Sequence, residues 1–337
     1  MMLDVLFCAN TAYFQHVAVA CASIAAHTPG ATVHLVTCDQ DPEAEAKLRR
    51  GAEALSGLSL AIYHVSEAAL SSFFVDSYLT RECYLRLLAP DLLPGHVRRI
   101  LYLDCDVVAL GDLRPLAALD LGGSVVGAVP DYPRVPYVVD TRRLGALGIP
   151  DDHVYVNSGV LLMDLEAWRR EGLTRRFVEF IKARGAQLAF HDQDAINAVL
   201  HDRIHLLDCR WNLQSRMYLC GRRFHPIEYE ATREARRNPA ILHYVGAAKP
   251  WKFRARTARK GEYFRYLART EWRDARPPLT TPWQRAEYAF DRALSRLGID
   301  YLEVLVRLRR APARLASIAL VPLRRLGPGS ATVAERR

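Results

Sequence analysis

Nothing in this chain pairs its cysteines. There are seven in 337 residues, an odd number, and no two of them form a C-x-x-C. That excludes a disulfide framework and a thiolate zinc knuckle as the organising principle. Cys8, Cys21, Cys38, Cys83, Cys105, Cys209 and Cys220 mostly sit within apolar runs, the pattern of reduced, packed thiols in a cytosolic protein. No apolar run approaches the length of a transmembrane helix. Residues 3–9 read as a strand from the outset, without a basic n-region or a small-residue cleavage site, so no signal peptide is expected. Internal repeats and low-complexity tracts are missing as well. What these absences leave is an ordinary globular composition, long enough for one large α/β domain with an appendage.

Acidic residues are scarce in one region only. Residues 1–248 hold 25 Lys and Arg against 29 Asp and Glu, while 249–337 hold 21 against 8, a net charge of −4 followed by +13. Within that basic quarter Trp283, Ala286, Phe290, Leu294 and Leu297 recur at helical spacing, with Arg285, Arg292 and Arg296 on other faces. Two further basic helical runs are predicted over 300–310 and 314–326, the last broken by Pro322. One reading is helices packed on the body with their arginines in solvent. The other is an anchor whose apolar face enters the headgroup region while its arginines meet anionic lipid. Nucleic acid is not an expected partner, because the tail has no recognisable binding motif and its aromatics form a stripe, not a stacking platform.

Upstream, strands and helices alternate. Strands are predicted over 3–9, 32–38, 58–65, 98–109, 124–130, 155–164, 204–210 and 240–245, with helices near 16–27, 42–55, 81–89, 166–184 and 192–201. That order implies an α/β domain with a mostly parallel sheet covered by helices on both faces. Ligands of such sheets collect beyond the carboxyl ends of the strands. Residues 130–152, with four prolines, read as a loop-rich segment over such a site.

Asp104-Cys105-Asp106 closes the apolar run 99–103. On a continuing strand two residues apart share a face, so both carboxylates would meet one divalent cation; the alternative is a pair of strand-end aspartates capping a turn. In 240–251 (AILHYVGAAKPW) a short apolar strand delivers His243, Gly246 permits close backbone approach and Lys249 offers a point charge for phosphate. An Asp/Asp/His set of two oxygens and one nitrogen suits Mn²⁺. The segment His191-Asp192-Gln193-Asp194 reads either as a capped helix start or as part of a site.

Six motifs in order, residues 6–10 (LFCAN), 84–86 (YLR), 101–106 (LYLDCD), 157–162 (NSGVLL), 191–194 (HDQD) and 243–251 (HYVGAAKPW), resemble the retaining glycosyltransferases of family 8. The resemblance spans about residues 3–253 and implies the GT-A nucleotide-sugar fold over residues 1–255, followed by the basic, partly amphipathic region 256–337. It implies transfer of a hexose, galactose or glucose, from a UDP-sugar to a glycan or lipopolysaccharide acceptor, with Mn²⁺ or Mg²⁺ held by Asp104, Asp106 and His243. By the same resemblance Ala9, Asn10, Tyr13, Arg86, Asp104, Asn157, Asp192, Gly246 and Lys249 bind the nucleotide sugar, and Gln193 faces the anomeric carbon beside Asp192. Asp131, which follows the strand at 125–129, is a candidate contact for the acceptor. The first-strand motif departs from the family's usual acidic form, with Asn10 and Tyr13 left to read a uracil. An amide at 193 is a feeble nucleophile, which points to front-face substitution instead of a covalent intermediate. A cytoplasmic enzyme, peripheral on the membrane's inner face, is expected.

Two other classes compete. Residues 103–108 also resemble the aspartyl-nucleophile motif of haloacid dehalogenase-type phosphatases, with Asp104 as nucleophile, although that motif belongs on a first strand. A non-catalytic carbohydrate- or membrane-binding relative is the third, against which the intact Asp/Asp/His/Lys set argues.

Overall fold

The computed structural model describes residues 3–66, 81–131, 140–219, 230, 232–255, 257–297 and 299. After its first residue β1 (Asp4–Cys8) is apolar without alternation, and a strand of that kind must be covered on both faces. It lies between β2 (Ala31–Thr37) and β4 (Arg99–Leu103), both parallel to it, and β3 (Leu58–His64) extends that edge. Beyond β4 come β7 (Val156–Asp164), β6 (Val126–Pro130) and β8 (Ile204–Leu206), giving a seven-stranded sheet ordered β3-β2-β1-β4-β7-β6-β8. β7 is antiparallel to both of its neighbours. The fold is therefore α/β and mostly parallel, as the alternation of elements implies, with one reversed strand that the pattern does not reveal.

Helices cover both faces. Leu6 points into a cluster with Leu87 of α3 (Leu85–Leu92), Trp168 of α6 (Leu165–Arg170), Phe177 of α7 (Leu173–Arg184) and Ile196 of α8 (His191–Val199). Its neighbours Val5 and Phe7 point the other way, toward Val17 and Ile24 of α1 (Phe14–His27) and Leu48 of α2 (Pro42–Glu53). Shorter helices fill the connections: α4 (Arg114–Ala117), α5 (Thr141–Ala146) and α9 (Arg233–Arg237). α5 lies inside the stretch read as loop, started by the Asp140 carboxylate, which accepts from the Arg143 N–H at 3.1 Å. The two ends of the β6–β7 connection are tied together, the Asp131 N–H donating to the Tyr155 carbonyl at 2.9 Å.

Several predicted elements are shorter or divided. The helix over 166–184 breaks into α6 and α7 at Gly172, whose φ of 61° is the left-handed conformation that glycine tolerates best. The strand over 98–109 also divides. β4 ends at Leu103, residues 104–106 turn, and β5 (Val107–Ala109) joins a separate three-stranded sheet. There β10 (Ile241–His243) sits between β5 and β9 (Leu213–Gln214), so the strands predicted over 204–210 and 240–245 contract to three residues each. The helices predicted over 300–310 and 314–326 lie outside the described residues.

The chain after residue 256 begins as part of the core. α10 (Lys260–Leu267) buries Tyr263, Phe264, Tyr266 and Leu267 against Val19 and Ala22 of α1 and against Tyr244. α11 (Pro282–Arg296), opened by a Thr281–Gln284 capping box, then docks on α10. It buries Tyr288 and makes polar contacts inward: Asp291 with Lys260 at 2.5 Å, Glu287 with Arg254 at 2.7 Å, and the Arg292 guanidinium 3.6 Å from the centre of the Phe264 ring. A Cβ on Gly261 would run into the Ser295 carbonyl, so the helices touch backbone to backbone there. Trp283, Phe290 and Leu297 are left 51%, 55% and 73% exposed. The apolar stripe therefore faces outward, opposite to a surface helix packed by its hydrophobic side. Among the described residues no helix is long and apolar enough to cross a membrane.

His16 joins α1 to this C-terminal part. Its ring stacks on Trp251, centroids 3.6 Å apart, and Nδ1 meets the Tyr263 hydroxyl at 2.7 Å. Burial lowers its pKa from 6.5 to about 3, against a smaller upward pull from Asp106. Below pH 6.5 the unfolded chain thus binds a proton that the folded chain refuses. Stability from this group is complete above pH 6.5 and falls as pH drops toward 3, by about 1.4 kcal/mol per pH unit. Comparing thermal midpoints of the wild type and His16→Gln between pH 7.5 and 4.5 should show a shallower acid loss in the variant. Parallel loss in the two proteins would remove His16 from the account.

Candidate active site

Two turns bring the key side chains together. Asp104 and Asp106 flank the turn that takes the chain from the large sheet into the small one, and His243 ends β10 opposite Val107. The carboxylates converge because the chain turns between them, not because a strand continues through them, as the sequence pattern implied. His243 Nε2 lies 3.2 Å from Asp106 Oδ1 and 3.7 Å from Asp104 Oδ2. One ligand atom from each of the three residues falls within 4.8 Å of the other two, a donor set of two oxygens and one nitrogen that fits a divalent cation.

Buried negative charge of this density requires counter-charge. Lys249 Nζ contacts Asp106 Oδ2 and also donates to the Tyr244 carbonyl at 2.9 Å. Burial pushes the Asp106 carboxyl up, yet Lys249 and His243 outweigh it and hold the group far below the usual carboxylate range. Burial likewise opposes the charge on Lys249, and Asp106 more than restores it. Arg86 serves the other side. Its guanidinium meets Asp104 Oδ1 at 3.0 Å and Asp192 Oδ2 at 3.2 Å, donates to the Ser158 and Cys83 carbonyls, and lies 4.3 Å from the centre of the Tyr102 ring. The Asp192 contact is an ion pair without hydrogen-bond geometry, which leaves Oδ2 buried with no hydrogen-bond partner, and burial keeps this carboxyl above its ordinary pKa despite Arg86. Helix α8 is capped by the next acid along. Asp194 accepts from the Phe190 N–H at 2.9 Å and pairs with Arg143 at 2.8 Å, which frees Asp192 to face the site.

β7 enters the site because it runs in reverse, so its first residues lie beside the last residues of β4 and β6. Gly159 sits against the cluster: its carbonyl accepts from the Asp104 N–H at 2.8 Å, and a Cβ there would come within 2.7 Å of Asp104 Oδ2 and 2.9 Å of His243 Nδ1. Asn157 Oδ1 accepts from the Gly159 N–H and from Asn212 Nδ2, while its Nδ2 donates to Gln193 Oε1. The Ser158 N–H also donates to Gln193 Oε1, at 3.1 Å, and Gln193 Nε2 donates to Asp131 Oδ2 at 3.0 Å. Asp131 is completed by Arg216 at 3.4 Å.

The remaining predicted residues line the rim. Ala9 and Asn10 follow β1, one strand over from Asp104; the Ala9 N–H is spent on Val36, whereas Asn10 Oδ1 is buried without a partner. Tyr13 is 42% exposed beside Trp251 and close enough to Lys249 to act on its charge. Gly246, at φ 78°, turns the chain between His243 and Lys249. Sequence reasoning passed over Asp39, whose Oδ2 accepts from both the N–H and the hydroxyl of Thr11 and so fixes the loop after β1. It also passed over Asn212, and within the motif at 157–162 it gave a role to Asn157 but none to Ser158 or Gly159. A lone Asn in a polar turn carries no pattern, and the small residues of 157–159 gain their role only through the reversal of β7.

A sequence model described as Glycosyl transferase family 8 matches residues 4–255. Among individual proteins, General stress protein A of Bacillus subtilis (strain 168) is 35% identical over 208 residues, 58% of this chain and 68% of that protein. A lipopolysaccharide 1,2-glucosyltransferase of Escherichia coli (strain K12) is 28% identical over 233 residues, 65% of this chain and 64% of its own length, so the chain spans about two thirds of these curated relatives. In three dimensions the chain is similar to the galactosyltransferase LgtC solved with donor and acceptor sugar analogues, at a TM-score of 0.69 and 22% identity, over 85% of this chain and all of that one. That likeness carries the fold. The family match covers most of the chain and contains every residue of the cluster: the protein belongs to glycosyl transferase family 8 and is a glycosyltransferase with a GT-A-type α/β domain.

Proposed function

We propose that the chain is a metal-dependent retaining hexosyltransferase that moves galactose or glucose from a UDP-sugar to a hydroxyl of a glycan or lipopolysaccharide-type acceptor. The observation that carries the reading is the convergence of Asp104, Asp106 and His243 within 4.8 Å at the carboxyl end of the sheet. These three would hold Mn²⁺ or Mg²⁺, which when bound supplies Lewis-acid stabilisation to the diphosphate leaving group. Lys249 and the Gly246 backbone present positive potential to the same phosphates. The buried, unpartnered Asn10 Oδ1 suits a base that offers an N–H, as uracil does, with the exposed Tyr13 ring as a stacking surface and Ala9 as backbone wall. Arg86 holds Asp104 and Asp192 in register, and Asp192 faces the donor sugar. The lipopolysaccharide transferases among the relatives support the acceptor class.

Gln193 supports front-face substitution. Its carbonyl oxygen already accepts from two donors and its NH₂ is directed at Asp131, so it offers no free lone pair for attack on the anomeric carbon. The acceptor oxygen then bonds to the anomeric carbon on the face that the diphosphate leaves, and a phosphate oxygen takes the hydroxyl proton. Gln193 stabilises the developing charge on the ring, Asn157 holds Gln193, and Asp131 lies where an acceptor hydroxyl would arrive. The phosphatase reading loses its support, since Asp104 follows the fourth strand and is paired with Arg86.

Three outcomes are expected. UDP-hexose turnover should vanish in EDTA, return with Mn²⁺, fall by on the order of 10²–10³-fold in Asp104→Asn or Asp106→Asn, and give an α-linked product by proton NMR; a β-linked product would refute retention. Gly159→Ala should fold, by circular dichroism, yet bind Mn²⁺ weakly, because its Cβ displaces His243 and Asp104. We further propose residues 1–255 as the catalytic domain and the region from Trp283 onward as a peripheral anchor on the inner, cytoplasmic membrane face. Support comes from the outward stripe of Trp283, Phe290 and Leu297 in the basic quarter. The full chain should pellet with anionic vesicles at low salt and less so at high salt, and a chain ending before Trp283 should not. Equal behaviour of the two chains would make α11 purely structural.

A further inference from the structure

Each hydrogen-bond direction around His243 follows from two groups that can only donate. The Ser158 N–H points at Gln193 Oε1 and the Gly159 N–H at Asn157 Oδ1, both at 3.1 Å. Backbone amides have no alternative polarity, so these two contacts fix the orientation of both side-chain amides. Asn157 must therefore present its oxygen, not its NH₂, to Asn212, and Asn212 Nδ2 donates to it at 2.8 Å. That leaves Asn212 Oδ1 facing His243 Nδ1 at 2.9 Å. Turning Asn212 over would set two amide oxygens against each other. Turning Asn157 as well would set its NH₂ against the Gly159 N–H.

We infer that Asn212 is the positioning residue of the metal site: it accepts from His243 Nδ1–H and so fixes the tautomer that presents the Nε2 lone pair to the space between Asp104 and Asp106. The inference rests on the metal reading of that cluster. Three features suit the role. Asn212 is fully buried, as is His243 at 3% exposure, so water cannot replace the contact. It ends the short turn Cys209–Asn212, started by the Asp208 carboxylate, and passes directly into β9, which pairs with β10 so that Gln214 lies opposite His243. The backbone thus fixes the amide as firmly as the ring it serves. The hub of the chain, Asn157, also holds Gln193, so the group beside the donor sugar and the group that orients the nitrogen ligand depend on the same pair of backbone N–H groups. Histidine ligands generally need such a partner on the second ring nitrogen, and losing it weakens metal binding by about 10–100-fold.

Long-range ¹H–¹⁵N correlation NMR on the metal-free protein at mildly alkaline pH reads the tautomer directly. The neutral His243 ring should carry its proton on Nδ1 in the wild type and lose that preference in Asn212→Leu. A wild-type ring protonated on Nε2 overturns the inference. Mn²⁺ titration followed by electron paramagnetic resonance, with UDP present, supplies the second readout. Asn212→Leu should bind about 10–100-fold more weakly, while Asn212→Asp, which keeps an acceptor for the Nδ1 proton but loses the donor to Asn157, should stay within a few-fold of the wild type. If Asn212→Asp falls as far as Asn212→Leu, or Asn212→Leu binds like the wild type, the residue is only packing. Should the wild type bind no Mn²⁺, the metal reading itself fails, and the tautomer measurement still judges Asn212.

Discussion

Two carboxylates two residues apart, held at the edge of a hydrophobic core, set the terms for this structure. Asp104 and Asp106 cannot be withdrawn from water without compensation, and the compensation is drawn from two distant parts of the chain, Arg86 on α3 and the segment that carries His243 and Lys249, and from neighbouring Tyr102, whose hydroxyl donates to Asp104 at 2.7 Å. Arg86 is itself buried and needs Asp192 and two backbone carbonyls. The site is thus a closed charge network in which each member is present because another would be unaffordable without it, and the order of strands in the large sheet is what lets these segments meet.

The parts that were legible in the sequence are those with local causes. Unbroken apolar runs gave away the central strands, the six ordered motifs the family, and D-C-D with His243 and Lys249 the metal-type cluster. Less visible was anything that depends on chain direction. The D-C-D segment lies in a turn between sheets, and nothing in the run 98–109 marks where the strand stops, since Val107–Ala109 is as apolar as what precedes it. The reversal of β7 is equally silent, because its apolar run Val160–Met163 reads the same in either direction. Yet that reversal is why Asn157, Ser158 and Gly159 reach the site at all. Asn212 became meaningful only once β9 was seen to pair with β10.

The C-terminal quarter shows composition and orientation coming apart. Helical spacing identified the stripe on α11 correctly, but not which side of the helix docks. The body offers α11 Lys260, Arg254 and the Phe264 ring, so the acidic residues and Arg292 turn inward and the apolar stripe turns out. The face that docks combines these charge pairs with buried Tyr288, not the stripe of Trp283, Phe290 and Leu297.

The tie between Asp131 and Tyr155 gives the β6–β7 connection a property of its own. Both feet of this excursion stand in the site, one beside Gln193 and the other close to Asn157, and their backbones are tied to each other. Lengthening a loop with fixed ends costs only about 0.6 kcal/mol for each doubling. Sequence added to this connection away from Arg143 and His153, which reach back to the site helix α8, would therefore carry little entropic penalty.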